Sequence, residues 1–302
     1  MENIKVVKVV AEANAVTHGG LFHADEVMAT VILSKVFDQL RVCRTFKVPE
    51  DISEDVVVYD IGFGELDHHQ KGGNGARENE VPYAACGLVW RKYGMQVCAN
   101  TINPEKVWDI IDRTLIQGID ATDNGAMPRV DYPTQTMTIS AIVSGFNPNW
   151  DSNDDPDSCF MKAVALAEQV FDNSFERAKG LVKADAIVEE AIGKSEGHIM
   201  VLDQFVPWDM PIFNSENEKA ADIQFVVFPS NRGGYNWQCV PDAPGSFGQR
   251  KPVPESWRGL RGEELQKETG VATASFCHPV GFIGGADTLE DAIALARLAI
   301  QA

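Results

Sequence analysis

Two short acidic segments hold four of the six histidines of this 302-residue chain. They are Thr17-His18-Gly19-Gly20-Leu21-Phe22-His23-Ala24-Asp25-Glu26 and Asp60-Ile61-Gly62-Phe63-Gly64-Glu65-Leu66-Asp67-His68-His69. Imidazole mixed with carboxylate is the donor set that suits a first-row divalent ion. Each segment follows a stretch that reads as a strand: Asn14-Ala15-Val16-Thr17 before the first, and the β-branched run Asp55-Val56-Val57-Val58-Tyr59-Asp60-Ile61 around the start of the second. A fold that uses both segments together must therefore bring distant strand ends to one place. An α/β sheet does so, because its ligands bind beyond the carboxyl ends of its strands.

The rest of the pattern agrees. Asn14 to Thr17 reads as the first strand, Ala24 to Phe37 as a mostly buried helix, Arg41 to Phe46 as a second strand, and Asp55 to Ile61 as a central parallel strand. Helical periodicity follows over Pro82 to Tyr93 and Pro104 to Leu115. Asp155 is a candidate N-cap, with Pro156 in the first turn of a helix of about 35 residues that ends at Gly193. A helix of that length spans roughly 50 Å, long for one globular domain. Strands at Ile199 to Leu202 and Gln224 to Phe228 and a helix from Leu289 to Ile300 complete the chain. The expected organisation is α/β: a catalytic, metal-binding domain over 1–193, including the long connecting helix, and a smaller α/β or α+β substrate-binding domain over 194–302.

A two-metal hydrolase needs several hard or borderline ligands and a carboxylate able to bridge the ions. His18, His23, Asp25, Asp60 and His68 supply these, with Asp120 or Asp123 from Gly118-Ile119-Asp120-Ala121-Thr122-Asp123. Asp60 is the candidate bridge. Neighbouring residues seldom ligate one ion, so one of His68 and His69 is expected to bind metal while the other faces substrate. Asp67 is either a ligand or the partner that orients an imidazole, and Glu26 reads as favouring the first turn of its helix. Phosphate contacts are expected from Arg77, from Arg232 beside Gly233-Gly234, and from His278-Pro279-Val280-Gly281-Phe282-Ile283-Gly284-Gly285. In that last run Gly284 and Gly285 would let backbone N–H groups approach an anion. Trp237 and Trp257 read as core rather than as stacking platforms.

Composition excludes several classes. A net charge of −18 argues against non-specific coating of nucleic acid, which relies on basic surface. Six cysteines without CxxC spacing indicate neither a zinc ribbon nor a disulfide framework. No G-x-S-x-G elbow is present, and no apolar run approaches the roughly 18 residues of a membrane span. A cytoplasmic protein is expected.

Asp67-His68-His69 after a strand-ending Asp60, following an amino-terminal His-and-Asp cluster, resembles the DHH phosphoesterase superfamily, which includes RecJ-type exonucleases and manganese-dependent family-II pyrophosphatases. The closer resemblance is to the Myg-one (melanocyte proliferating gene) exonuclease family, carried also by Ala76-Arg77-Glu78, Pro82-Tyr83-Ala84, Ile119-Asp120-Ala121-Thr122-Asp123-Asn124-Gly125 and Gly281-Phe282-Ile283-Gly284-Gly285. The resemblance implies a DHH-type parallel-sheet phosphoesterase domain with helices on both faces, and a smaller domain closing over substrate. It also implies a dinuclear centre, with Mn2+ as the expected ion and Mg2+, Co2+ and Zn2+ as others the donors fit. His18, His23 and Asp25 fall in the first metal motif, Asp60 in the second, His68 and His69 in the third and Asp120, the favoured choice, in the fourth. The pyrophosphatase pattern has aspartate where His23 stands, so that enzyme's substrate does not transfer.

The reaction expected is hydrolysis of RNA or short oligonucleotides by water activated at the metal pair, with His69, Arg232 and His278 neutralising developing charge. The choice of polymer rests on the resemblance alone. The alternatives are a small-molecule nucleotide phosphatase or pyrophosphatase and, from another class, a non-catalytic scaffold that keeps metal for folding. A phosphoester is the expected partner, no membrane is, and homo-oligomerisation is left open.

Overall fold

The computed structural model of the protein describes residues 3–127, 134 and 136–302. The chain divides into two compact units, Met1–Gly180 and Leu181–Ala302. The first contains β1 (Ile4–Val7), β2 (Ala15–His18), α1 (Ala24–Ser34), β3 (Leu40–Thr45), β4 (Val57–Val58), α2 (Ala85–Cys98), α3 (Pro104–Ile111), α4 (Gln117–Asp123), α5 (Ile139–Ser144) and most of α6 (Pro156–Gly193). A π-helical turn, Asp112–Ile116, joins α3 to α4.

The four strands form a parallel sheet in the order β1-β3-β2-β4. The strand expected to be first is thus the second, because Ile4–Val7 adds itself outside β3. The run expected to be a central strand is an edge: only Val57 and Val58 pair with β2. Its hydrophobic pattern continues to Ile61, but Asp60 adopts φ 56°, which ends the extended backbone. The chain then loops until Leu66, whose carbonyl accepts from the Asp60 N–H.

Every residue of α1 is buried, the polar Asp25, Glu26, Thr30 and Ser34 along with its apolar majority. The helix packs against α2, α4, α5 and β3. Val7, Val16 and Cys43 form a smaller cluster with Val48, Ile52 and Val56. Asp155 accepts from the Ser158 N–H at 2.9 Å, consistent with the cap expected at the start of α6.

The second unit adds β5 (Ile199–Val201), α7 (Asp209–Asn214), α8 (Lys219–Asp222), β6 (Phe225–Pro229), β7 (Tyr235–Cys239), α9 (Gly262–Thr269), β8 (Ala274–Cys277), β9 (Ile283–Ala286) and α10 (Leu289–Gln301). Its mixed sheet runs β5-β6-β7-β9-β8, with β5 parallel to β6 and the remaining pairs antiparallel. The strand period of two separates the cores. Phe225 and Val227 point into one cluster with Trp237, Trp257, Leu295 and Ala299, while Val226 and Phe228 join the other with Val188, Ile192, Met200 and Ile212. Both tryptophans are therefore core, their ring centroids 6.4 Å apart.

Gly284 and Gly285 lie in β9 rather than in a loop. A Cβ on Gly284 would sit 2.2 Å from Trp237 Cζ2 and 2.5 Å from the Phe276 carbonyl oxygen, so these glycines admit a ring across the strand. The anion cradle expected there is replaced by a packing requirement. Gly284→Ala is expected to destabilise the second unit by about 1–3 kcal/mol or more through overpacking, read as a lower midpoint in chemical denaturation. All six cysteines are free and buried, and among the described residues no helix is long and apolar enough to cross a membrane.

Candidate metal centre

β2 ends at His18, and the chain turns through Gly19 and Gly20, the latter at φ 85°. Phe22 is pinned in the turn by Asn147, which accepts from its N–H at 2.9 Å and donates to its carbonyl at 2.8 Å. His23 then stands at the N-cap of α1, and its N–H is accepted by the Glu26 carboxylate at 3.0 Å. Glu26 does more than favour the first turn. It is fully buried and lies 2.9 Å from His18 Nε2, making a group with His18 and His23 that could hold an ion. The signal for it was the helix itself: no solvent-facing side exists on α1 for a charge at that position.

Asp25, also fully buried, accepts from the Ala85 and Cys86 N–H groups at 2.9 and 2.6 Å, so it closes the start of α2. Burial, reinforced by the charges of Asp60, Asp123 and Asp120, pushes its pKa well above the usual carboxylate range. Burial likewise raises Glu26, against the pull of His18. Burial opposes charge on His18, but hydrogen bonds to Asp60 and Glu26 outweigh it and raise this imidazole to about 11. A cation bound here would compete with that proton.

Asp60 sits between the two histidine segments. Its Oδ2 is 3.2 Å from His18 Nε2, while its Oδ1 is 3.6 Å from His68 Nδ1 and 3.5 Å from His69 Nδ1. One carboxylate thus faces one segment with each oxygen, the disposition expected of a bridge. His68 Nδ1 is also 3.7 Å from Asp25 Oδ2, and its Nε2 is 3.0 Å from Asp123 Oδ2. Asp60 Oδ1 and His68 Nδ1 are both buried and have no hydrogen-bond partner. Buried polar atoms left without a hydrogen bond are costly unless another group, such as a cation, pairs with them. The donors therefore fit divalent ions: Asp25, His68 and Asp123 form one group and Asp60, Asp67, His68 and His69 another.

Asp67 orients rather than closes this set. It accepts from His69 Nδ1 at 2.7 Å and from the N–H groups of Phe63 and His69 at 2.6 and 3.1 Å. Burial opposes its charge, yet these hydrogen bonds hold its pKa below the ordinary value. The His69 ring, stacked on His68 with centroids 4.3 Å apart, is about half exposed and leaves Nε2 unengaged by Asp67. Burial counts against protonation of His68 too, but the Asp123 hydrogen bond and the surrounding carboxylates raise its pKa.

Asp120, the favoured ligand, lies in a buried group with Asp25 and Cys86 that could hold an ion, while Asp123 lies in one with Asp25 and His68. Asp120 spends Oδ2 on Arg77 Nη1 at 2.8 Å and Oδ1 on the Gly87 N–H at 2.9 Å. Burial lifts its pKa to about 7 despite Arg77. Arg77, expected to clamp phosphate, is instead committed inside the protein: it also grips Asp112 through Nε and Nη2 at 2.8 and 2.6 Å and lies over the Tyr83 ring. Gly87 is part of this arrangement, since a Cβ there would fall 1.8 Å from Asp120 Oδ2.

The site opens into a cavity of about 850 Å³ lined by His18, His23, Asp60, Asp67 and His69, with Phe46, Lys47 and Phe63 on its wall. Arg232 and His278 belong to the second unit. Arg232 is exposed in the β6–β7 turn, and His278 Nδ1 accepts from the Val280 N–H at 3.2 Å, its ring set edge-on to Phe282.

A family model for MYG1 exonucleases, described as uncharacterised protein family UPF0160, matches residues 14–300. A MYG1 protein of Saccharomyces cerevisiae is 31% identical, the alignment covering 99% of this chain and 100% of the yeast one. A MYG1 protein of Schizosaccharomyces pombe is 32% identical over 94% of this chain and 96% of its own. A human protein named MYG1 exonuclease is 29% identical over 96% of this chain and 86% of its own. No solved structure matches the chain.

Proposed function

Because the chain belongs to the MYG1 family, UPF0160, we propose that it is a metal-dependent phosphodiesterase that shortens RNA or short oligonucleotides from an end. One observation carries the metal part of this reading: the buried, unpartnered Asp60 Oδ1 and His68 Nδ1, which face each other at 3.6 Å. The names of the mammalian relatives support the exonuclease part. His18, His23 and Glu26 would hold one ion and Asp25, His68 and Asp123 the other, with Asp60 shared between them. Bound there, Mn2+ or a similar ion would lower the pKa of water and neutralise non-bridging phosphate oxygens.

The protein's own groups do the positioning. Asp67 accepts a hydrogen bond from His69 Nδ1 and so orients the ring, leaving Nε2 available; with Nε2 protonated as well, His69 would donate to an oxygen of the reacting phosphate. Asp25 stays in place because two backbone N–H groups of α2 hold it. Arg77 holds Asp120 and Asp112 and so sets the packing behind the site. Arg232 and His278 are the second unit's candidates for phosphate contact.

The test is an end-labelled oligoribonucleotide incubated with the purified protein and Mn2+. Stepwise shortening that stops on addition of a chelator is the expected result. Turnover of inorganic pyrophosphate with no shortening of the oligonucleotide would favour the small-molecule reading. No turnover of any phosphoester, with metal bound, would favour the scaffold.

A further inference from the structure

Folding has left two phenylalanine rings on the wall of the metal cavity without burying them. Phe46 is 84% and Phe63 69% exposed, although both line the same cavity as His23, Asp60 and His69. Each is held there by a specific feature. Phe46 lies against the turn that carries His18: a Cβ on Gly19 or Gly20 would come within 3.4 and 3.3 Å of its ring carbons, so small residues at those positions leave room for the ring. Phe63 adopts φ 57°, a left-handed conformation that is costly for an aromatic residue and cheap for glycine. Its N–H is fastened to Asp67 Oδ2 at 2.6 Å, the same carboxylate whose other oxygen orients His69. A strained backbone that displays an apolar ring to solvent gains nothing from core packing, and such strain collects where a side chain meets a ligand.

Resting on the phosphoester-hydrolase reading, we infer that Phe46 and Phe63 form a nucleobase subsite beside the metal centre, so that the substrate is a nucleoside-bearing phosphoester rather than a bare phosphate. Bases stack on exposed aromatic faces irrespective of sequence. A phosphate drawn to the cations brings its own nucleoside to the cavity wall. Lys47, next to Phe46 and without an ion pair among the described residues, adds a positive charge for an adjoining phosphate. Trp237 and Trp257 cannot serve, since both are buried in the second unit.

The experiment compares wild type with Phe46→Ala, Phe63→Gly and the double variant. Glycine suits the backbone at position 63 and keeps the N–H bond to Asp67, so loss of fold does not confound that variant. With Mn2+ present, calorimetric titration with AMP and with ribose 5-phosphate should show AMP binding wild type about tenfold more tightly, an advantage lost in the double variant. In hydrolysis, the preference for an oligonucleotide with ordinary ends over one with abasic ends should collapse in the same way, chiefly through KM. Equal binding of the two ligands by wild type, or an AMP advantage that survives both substitutions, overturns the proposal. So does a change in oligomeric state of the double variant with the AMP advantage intact, which would make the patch a contact between copies. Preferential AMP binding without any hydrolysis would sink the exonuclease reading and leave the subsite standing. Hydrolysis indifferent to the base would do the reverse.

Discussion

Asp60→Asn is expected to lower the rate of phosphoester hydrolysis by about a hundred- to a thousandfold, the scale seen when a group that stabilises transition-state charge is removed. The side chain keeps its size, and asparagine tolerates the left-handed φ of 56° better than most residues. What it loses is the charge that faces His18 with one oxygen and His68 and His69 with the other. In the presence of chelator the variant should melt close to wild type, because relief of the repulsion with Asp25 is offset by loss of the attraction to His18. With Mn2+ added, only wild type should gain a higher melting temperature, since a ligand stabilises in proportion to its occupancy of the native state. An equal gain in both proteins would mean that Asp60 is not part of the site.

Arg77→Ala is the second large effect, and it falls on stability. The guanidinium is almost wholly buried, with side-chain exposure of 7%, and it neutralises Asp112 and Asp120, which are exposed by 6% and 0%. Alanine would strand both carboxylates in the interior, where breaking a buried pair costs about 3–5 kcal/mol. For a unit of this size that corresponds to a drop in melting temperature of about 10 °C. Arg77→Lys should recover only part of the loss, because a point charge cannot reproduce the forked contact with Asp112. A phosphate-clamping arginine would behave otherwise: its removal would raise KM and leave the unfolding midpoint where it was.

The two predictions separate what could be read in the residues from what could not. The placement of His18 at a strand end and the approach of Asp60 to both His18 and His68 were legible, because imidazoles and carboxylates at the tips of parallel strands have few other uses. The choice between Asp120 and Asp123 was not. Three residues apart on one helix, they differ only in which neighbour each meets, Arg77 with Gly87 or His68. Arg77 looked like a surface cation for the same reason: nothing in its local sequence announces that Asp112, 35 residues away, waits behind it. Gly284 and Gly285 have the look of a phosphate loop, and only the strand pairing across Trp237 reveals why no side chain fits. The β-branched run before Asp60 suggested a central strand, whereas one positive φ cuts it to two paired residues at the edge. That same break throws Phe63 and Asp67 into the loop that shapes the cavity.

Counting the Mn2+ ions taken up by the chelator-washed protein tests the central claim most directly, with electron paramagnetic resonance to report whether they are paired. Two ions per chain, spin-coupled at a separation of roughly 3.5–4 Å, with uptake weakened by Asp60→Asn and by His68→Ala, is the result this account predicts. No uptake, or uptake indifferent to both substitutions, would contradict it.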